Sequence, residues 1–140
     1  MDGAEFGVLY ERLNKNIEEI KEYIKAPDTF KKTEASYIRD KVKYLFYSVT
    51  KSAVDIGHSI ILELELREPL NRADIFISLA ERDIMLHSVV PGIKKAVLSL
   101  PKLDAMTPAV LLDMVKKSLS DIGKCLDSFE VYFNLKDKSL

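Results

Sequence analysis

A long helical stretch, residues 34–66, constrains this chain more than any other feature of its sequence. Its apolar side chains recur at steps of three or four residues over about nine turns, and no proline interrupts them. This apolar row consists of Ile38, Val42, Leu45, Val49, Ile56, Ile60 and Leu64, with Ser52 in the same row. At about 1.5 Å per residue, such a helix is roughly 50 Å long. The pattern therefore predicts the central helix of a helical bundle.

The same stretch also carries apolar side chains outside this row, namely Tyr37, Tyr44, Phe46, Tyr47, Val54 and Ile61. A helix that is apolar on several sides must be covered on several sides. The other helices of one chain cover only part of such a surface, and a second copy can cover the rest. We therefore expect a homodimer.

The remaining sequence also has the helical period. Residues 5–25 form an amphipathic pattern that Pro27 ends, Asn71 can cap a further helix, and Thr107-Pro108 is a strong start signal for a last helix that reaches about residue 135. No segment alternates between apolar and polar residues as a strand does. The fold class that we predict is all-α, a single domain over residues 1–140 built as an antiparallel bundle of four or five helices.

Composition excludes several classes of function. The net charge is −1, so the whole molecule has no general attraction for nucleic acid. No uncharged apolar run approaches the ~20 residues of a membrane span. The single cysteine, Cys125, suits a reducing cytoplasm and has no neighbours at metal-ligand spacing, so we expect neither a metal nor a cofactor. Glutamine is absent while Lys and Glu are plentiful, which is typical of a thermophilic source.

Several segments, in their order and spacing, resemble the HepT-like family of the HEPN superfamily. The first is the end of the long helix, Ala53-Val54-Asp55-Ile56-Gly57-His58-Ser59-Ile60-Ile61, which is followed by Pro69. The others are Asp74-Ile75-Phe76-Ile77-Ser78-Leu79-Ala80-Glu81-Arg82-Asp83-Ile84, then Leu119-Ser120-Asp121-Ile122 with Phe129. The resemblance covers residues 37–133. It implies a dimeric helical bundle that belongs to a toxin–antitoxin pair with a minimal nucleotidyltransferase.

Toxins of this family are metal-independent ribonucleases whose motif is an Arg, a polar residue and a His, often followed by a Tyr. RNA carries its own 2′-hydroxyl nucleophile, so a His base and an Arg that binds the phosphate can suffice. At the matching position this chain has Lys94 for the Arg, Lys95 for the polar residue, Ser99 for the His and Pro101 for the Tyr. Lysine lacks the fixed fork of arginine, and serine is no base near neutral pH. The motif is therefore degenerate here.

A second Arg–polar–His spacing lies earlier in the chain, at Arg82, Asp83 and His87. On a straight helix, side chains five residues apart diverge by about 140°. Arg82 and His87 can therefore meet only if a helix ends between them or if a dimer completes the site. An exposed Arg82 and a boundary or interface His87 are the ordinary alternative.

Two classes of function remain open. The first is a HepT-like protein with a degenerate motif that acts by binding a partner, the nucleotidyltransferase. The second is a metal-independent ribonuclease that uses Arg82 and His87 and binds RNA. If Lys94 and Lys95 retain a phosphate-binding role from the motif, RNA binding should weaken as salt rises; the alternative is that they form only a solvated helix face.

Overall fold

The computed structural model describes residues 1–138, with side chains to residue 136, and within that range the chain is helical and has no strand. The α-helices in this range are α1 (Gly3–Ile24), α2 (Pro27–Lys31), α3 (Ser36–Glu63), α4 (Ile75–Glu81), α5 (Val90–Ser99) and α6 (Pro108–Lys138). Short 3₁₀ turns at Thr33–Ala35, Arg72–Asp74, His87–Val89 and Leu100–Ala105 lie between them. The predicted all-α class is confirmed. No helix in residues 1–138 combines the length and apolar character needed to cross a membrane.

Local capping sets the helix starts. The Asn71 side chain accepts a hydrogen bond from the Ala73 amide at 2.7 Å, and the Thr107 hydroxyl accepts one from the Val110 amide at 3.3 Å. Asn71 thereby starts the 3₁₀ turn that leads into α4, and Thr107 starts α6. The start signal at Thr107 is confirmed, whereas Asn71 caps the 3₁₀ turn before α4 and not α4 itself.

The central helix α3 is shorter than the predicted stretch 34–66. A 3₁₀ turn occupies residues 33–35, so the α-helix begins at Ser36. It ends at Glu63 because Glu65 has a left-handed backbone (φ 54°) and the Leu66 amide donates to the Ile61 carbonyl at 2.9 Å. This hydrogen bond is the Schellman pattern that terminates many helices. The apolar period continues past the helix end because Leu66 still packs on the core.

The three long helices α1, α3 and α6 contact one another in all three pairs, and α4 and α5 pack against α3. The Phe6 and Phe133 rings stack at 4.5 Å, and the Tyr10 hydroxyl donates to Asp127 at 2.6 Å. Since the start of α1 meets the end of α6, these two helices run in opposite directions. The core lies where the long helices meet.

Burial divides the surplus apolar residues of α3 into two groups. Phe46, Val54 and Ile61 are buried inside the single chain, while Tyr37, Tyr44 and Tyr47 are exposed. The helices of one chain therefore cover one part of this additional apolar surface and leave the three tyrosines open to solvent.

A close approach between α5 and α6 gives a stability prediction at Gly92. A Cβ atom added there would lie 1.8 Å from Oδ2 of Asp121, 2.6 Å from its Cγ and 3.0 Å from its Cβ. Rotation of the carboxylate relieves the first two overlaps but leaves the Cβ contact, so the helices must separate slightly. We expect Gly92→Ala to lower the free energy of unfolding by about 1–2 kcal/mol, as overpacking does.

The matched control is Gly123→Ala on α6, where an added Cβ meets nothing within 4 Å. There the better helix propensity of alanine should raise the free energy of unfolding by up to ~1 kcal/mol. Urea unfolding followed by circular dichroism measures both variants. Equal stabilisation by the two substitutions would contradict the tight contact at Gly92.

Candidate functional site

One exposed flank of α3 forms the tyrosine face, which we define as Tyr37, Tyr44 and Tyr47. Steps of seven and three residues keep these side chains within about 80° of one another around the helix. Their exposed fractions are 71%, 68% and 46%. The Lys41 ammonium lies 5.8 Å from the centre of the Tyr44 ring, a cation–π distance. The face therefore presents three aromatic rings with one ammonium group beside them, and that ammonium also pairs with Glu19 at 3.9 Å.

An open groove of about 540 Å³ continues the tyrosine face toward the 3₁₀ turn Leu100–Ala105. Tyr44 and Tyr47 line one side of it, and Leu100 and Pro101 line the other. Pro101, which the sequence resemblance aligns with the motif Tyr, is thus a wall of this groove. The groove extends the apolar surface beyond a single helix.

The end of α4 explains where Arg82 lies. Asp83 has a left-handed backbone (φ 57°), and the Ile84 amide donates to the Leu79 carbonyl at 3.0 Å. These are the marks of a Schellman termination, and aspartate is among the residues that tolerate this conformation. The helix therefore ends between Arg82 and His87, as convergence of the two would require.

Within one chain, Arg82 and His87 are nevertheless not joined. Both are exposed, and no hydrogen bond or ion pair connects their side chains among the described residues. His87 begins a 3₁₀ turn and lines a shallow groove of about 290 Å³ with Asp83, Ser128 and Val131, and Arg82 does not line that groove. The two side chains remain available at the surface without forming a site in the single chain.

The degenerate motif residues lie in three different environments. Lys94 is half-buried and pairs with Asp74 at 2.8 Å, so its charge is already compensated. Lys95 is exposed, with no ion pair among the described residues. Ser99 is buried, and its hydroxyl donates to the Ala96 carbonyl at 2.6 Å. Of these residues, Lys95 alone presents a free charge to solvent.

Lys95 and Ser99 line a cavity of about 310 Å³ between α5 and the start of α6, here called the lysine cavity. From α6 it receives Met114, Lys117 and Ser118. Sequence reasoning singled out Lys95 and Ser99 and missed the contribution of α6. No spacing pattern could reveal it, because the lining residues come from two helices and the turn between them.

Two displaced pKa values have structural causes. Burial raises the pKa of Tyr132 to about 12, and its hydrogen bond to the Glu63 carboxylate at 3.1 Å adds to the shift. Burial also raises the pKa of the Cys125 thiol. A fully buried thiol with a raised pKa is an inert core side chain.

His58 also has a structural partner, the Glu68 carboxylate, which its Nε2 contacts. This contact holds the segment after α3 against α3. Among residues 1–138 no three His, Cys, Asp or Glu side chains cluster as metal ligands would.

Comparison with known proteins assigns no family. No protein-family model matches the chain, and the curated proteins contain no significant match to it.

Proposed function

We propose that this protein is a HepT-like helical protein that acts by binding other proteins. It forms a homodimer of antiparallel helical bundles, with six α-helices within residues 1–138 of each chain where four or five were predicted, and the dimer binds a minimal nucleotidyltransferase. The tyrosine face is the observation that carries this proposal. Tyrosine is enriched at protein interfaces, where its ring packs and its hydroxyl stays hydrated.

A two-fold axis beside Tyr44 makes the face complementary to itself. In an antiparallel contact of α3 with its copy, Tyr44 meets Tyr44, and Lys41 faces Tyr47 of the second copy. The same register puts Lys51 opposite Tyr37. A two-fold interface requires such self-complementarity. Within the chain Lys41 already pairs with Glu19 at 3.9 Å and Lys51 with Asp55 at 2.9 Å, so the rings of the second copy would pack against paired ammonium groups.

The state of the degenerate motif supports binding over catalysis. Lys94 is compensated by Asp74, and Ser99 is turned into the core, where it donates to a backbone carbonyl. Neither residue therefore presents RNA with a free general base or with a guanidinium-like group that binds phosphate through two hydrogen bonds. Of the residues that the resemblance aligns with the motif, Lys95 alone is then left to contact RNA phosphate.

Co-purification of the protein from its native host tests the proposal, followed by an RNA cleavage assay on the recovered complex. A nucleotidyltransferase recovered with an inactive protein is the expected result. Recovery of the protein without such a partner would overturn the proposed partner. Cleavage activity would overturn the binding role and favour the enzyme.

The alternative is a metal-independent ribonuclease with its site shared between two subunits. The end of α4 between Arg82 and His87, with both side chains exposed and unpaired, favours it. In that case the protein cleaves RNA in the presence of a chelator, and His87→Ala lowers the rate by about 100-fold or more, as loss of a general base does. Arg82→Ala should lose comparable activity and retain its stability, because an exposed residue at a helix end contributes little.

The matched control for the ribonuclease hypothesis is Arg67→Ala, which removes another exposed arginine and should leave the rate unchanged. Mixing the Arg82 and His87 variants should restore part of the activity in heterodimers. Absence of chelator-resistant cleavage above a mock preparation would remove Arg82 and His87 as catalytic candidates.

A further inference from the structure

The lysine cavity carries an inference independent of the proposed function. It lies between the second half of α5, the turn Leu100–Ala105 and the first turns of α6. Its volume of about 310 Å³ holds roughly ten groups the size of a water molecule, at ~30 Å³ each. That size is at the lower end of small-molecule sites.

The floor of the cavity is made of Ser99, Met114 and Ser118, all buried. The Met114 sulfur lies 3.6 Å from both serine hydroxyl oxygens, and Ser99 also donates to the Ala96 carbonyl. Both hydroxyls are therefore engaged inside the protein. The floor offers carbon and a thioether, which is polarizable and a weak acceptor, so an apolar group fits there.

The walls are Leu98, Met106 and Val110. These side chains are flexible or branched aliphatics, and no aromatic side chain among the described residues lines the cavity. Proteins that hold nucleobases without reading their sequence stack them on aromatic rings. The walls therefore favour an aliphatic body over a base.

The rim carries an excess of positive charge. Lys117 pairs with Asp113 at 3.0 Å, whereas Lys95 and Lys102 have no ion pair among the described residues. The chain as a whole has a net charge of −1, so this excess is local. Two free ammonium groups above an apolar cavity are complementary to an anion with an apolar tail.

We infer that the lysine cavity binds a small aliphatic anion. The tail lies against Met114 and the walls, and a carboxylate or phosphate group lies between Lys95 and Lys102. A tail of roughly eight carbons fills the volume, since a methylene group occupies about the space of a water molecule.

Calorimetric titration of the full chain with octanoate and with octyl phosphate tests the inference. At least one of them should bind with one-to-one stoichiometry and a Kd below about 1 mM, and the tighter one identifies the head group. Affinity should fall as salt rises, because the charges at the rim are exposed. Octanol has the apolar tail without the charge, and acetate and inorganic phosphate have the charge without the tail. All three should bind at least ~10-fold more weakly.

Substitutions then locate the site. Lys95→Met/Lys102→Met should weaken binding by about 10-fold or more, and Val110→Trp should block the cavity at its exposed edge. The control Lys116→Met/Lys124→Met removes the same charge from exposed α6 positions outside the cavity and should bind like the parent. Thermal unfolding of each variant separates loss of binding from loss of fold.

Three results would each overturn the inference. The first is no binding of either octyl anion at 1 mM. The second is octanol binding as tightly as the anions, which would show an apolar cavity without charge recognition. The third is equal affinity of the two double-lysine variants, which would place the anion elsewhere on the protein.

Discussion

Replacing Tyr44 and Tyr47 with lysine is expected to convert the proposed homodimer into a monomer at micromolar concentration. The two substitutions remove four tyrosine rings from a two-fold interface, and at ~2 kcal/mol per ring association weakens by more than about 100,000-fold, since 1.4 kcal/mol is a factor of ten. Like charges brought together across the two-fold axis add to this loss. Light scattering and sedimentation velocity on parent and variant measure the change in mass.

The control for this pair is Val8→Lys/Leu70→Lys, which adds the same charge at two exposed apolar positions away from the tyrosine face. It should leave the dimer intact. The control variant should unfold within ~1 kcal/mol of the parent, because its two altered side chains are on the surface. If the parent protein is strictly monomeric at micromolar concentration, the homodimer is wrong. If the variant with both tyrosine substitutions is still a dimer, the interface lies on another surface.

Phe129→Ala is expected to have the largest effect on stability. The Phe129 ring is fully buried on α6, and its Cζ lies 3.5 Å from where a Cβ on Gly57 of α3 would stand. Ile75 and Leu79 of α4 approach the same point at 3.1 Å, so three helices meet there. Removing the ring leaves a cavity that all three must enclose, at a cost of about 3–5 kcal/mol.

That loss is a large part of the ~5–15 kcal/mol that stabilises a domain, and it should lower Tm by roughly 10–20 °C. The control is Val131→Ala, two residues further along α6 and exposed, which should change the free energy of unfolding by less than ~0.5 kcal/mol. Calorimetry and urea unfolding measure both. A loss below 1 kcal/mol for Phe129→Ala would contradict its position at the junction.

Much of the helical architecture was predictable because its signals are local. The apolar row of α3 and the caps at Asn71 and Thr107 depend on neighbours within a few residues, and all of them appear in the structure. The predicted ends of α3 were too wide by two or three residues at each side. A left-handed Glu65 ends the helix while its apolar period continues, and residue type alone does not signal that conformation.

The candidate site was less predictable, because the distance between two residues in the sequence does not give the distance between their side chains in the folded chain. The Arg82–His87 spacing is readable in the chain, but the left-handed Asp83 that ends α4 between them is a property of the folded backbone. Likewise, the sequence does not distinguish Lys94 from Lys95, because they are adjacent residues of the same type. Packing alone gives Lys94 its partner Asp74, twenty residues away, and leaves Lys95 free at the lysine cavity.

The class of fold and the additional apolar surface on α3 could be predicted from the sequence alone, since both follow from periodicity within one helix. The packing of the other helices buries one part of that apolar surface inside the chain and leaves the other part, the tyrosine face, exposed. It also created the lysine cavity, whose residues on α5 and α6 become neighbours only when the two helices pack. The physical reason is the same in each case: a helix sets which side chains share a face, and only its neighbours determine which faces are covered.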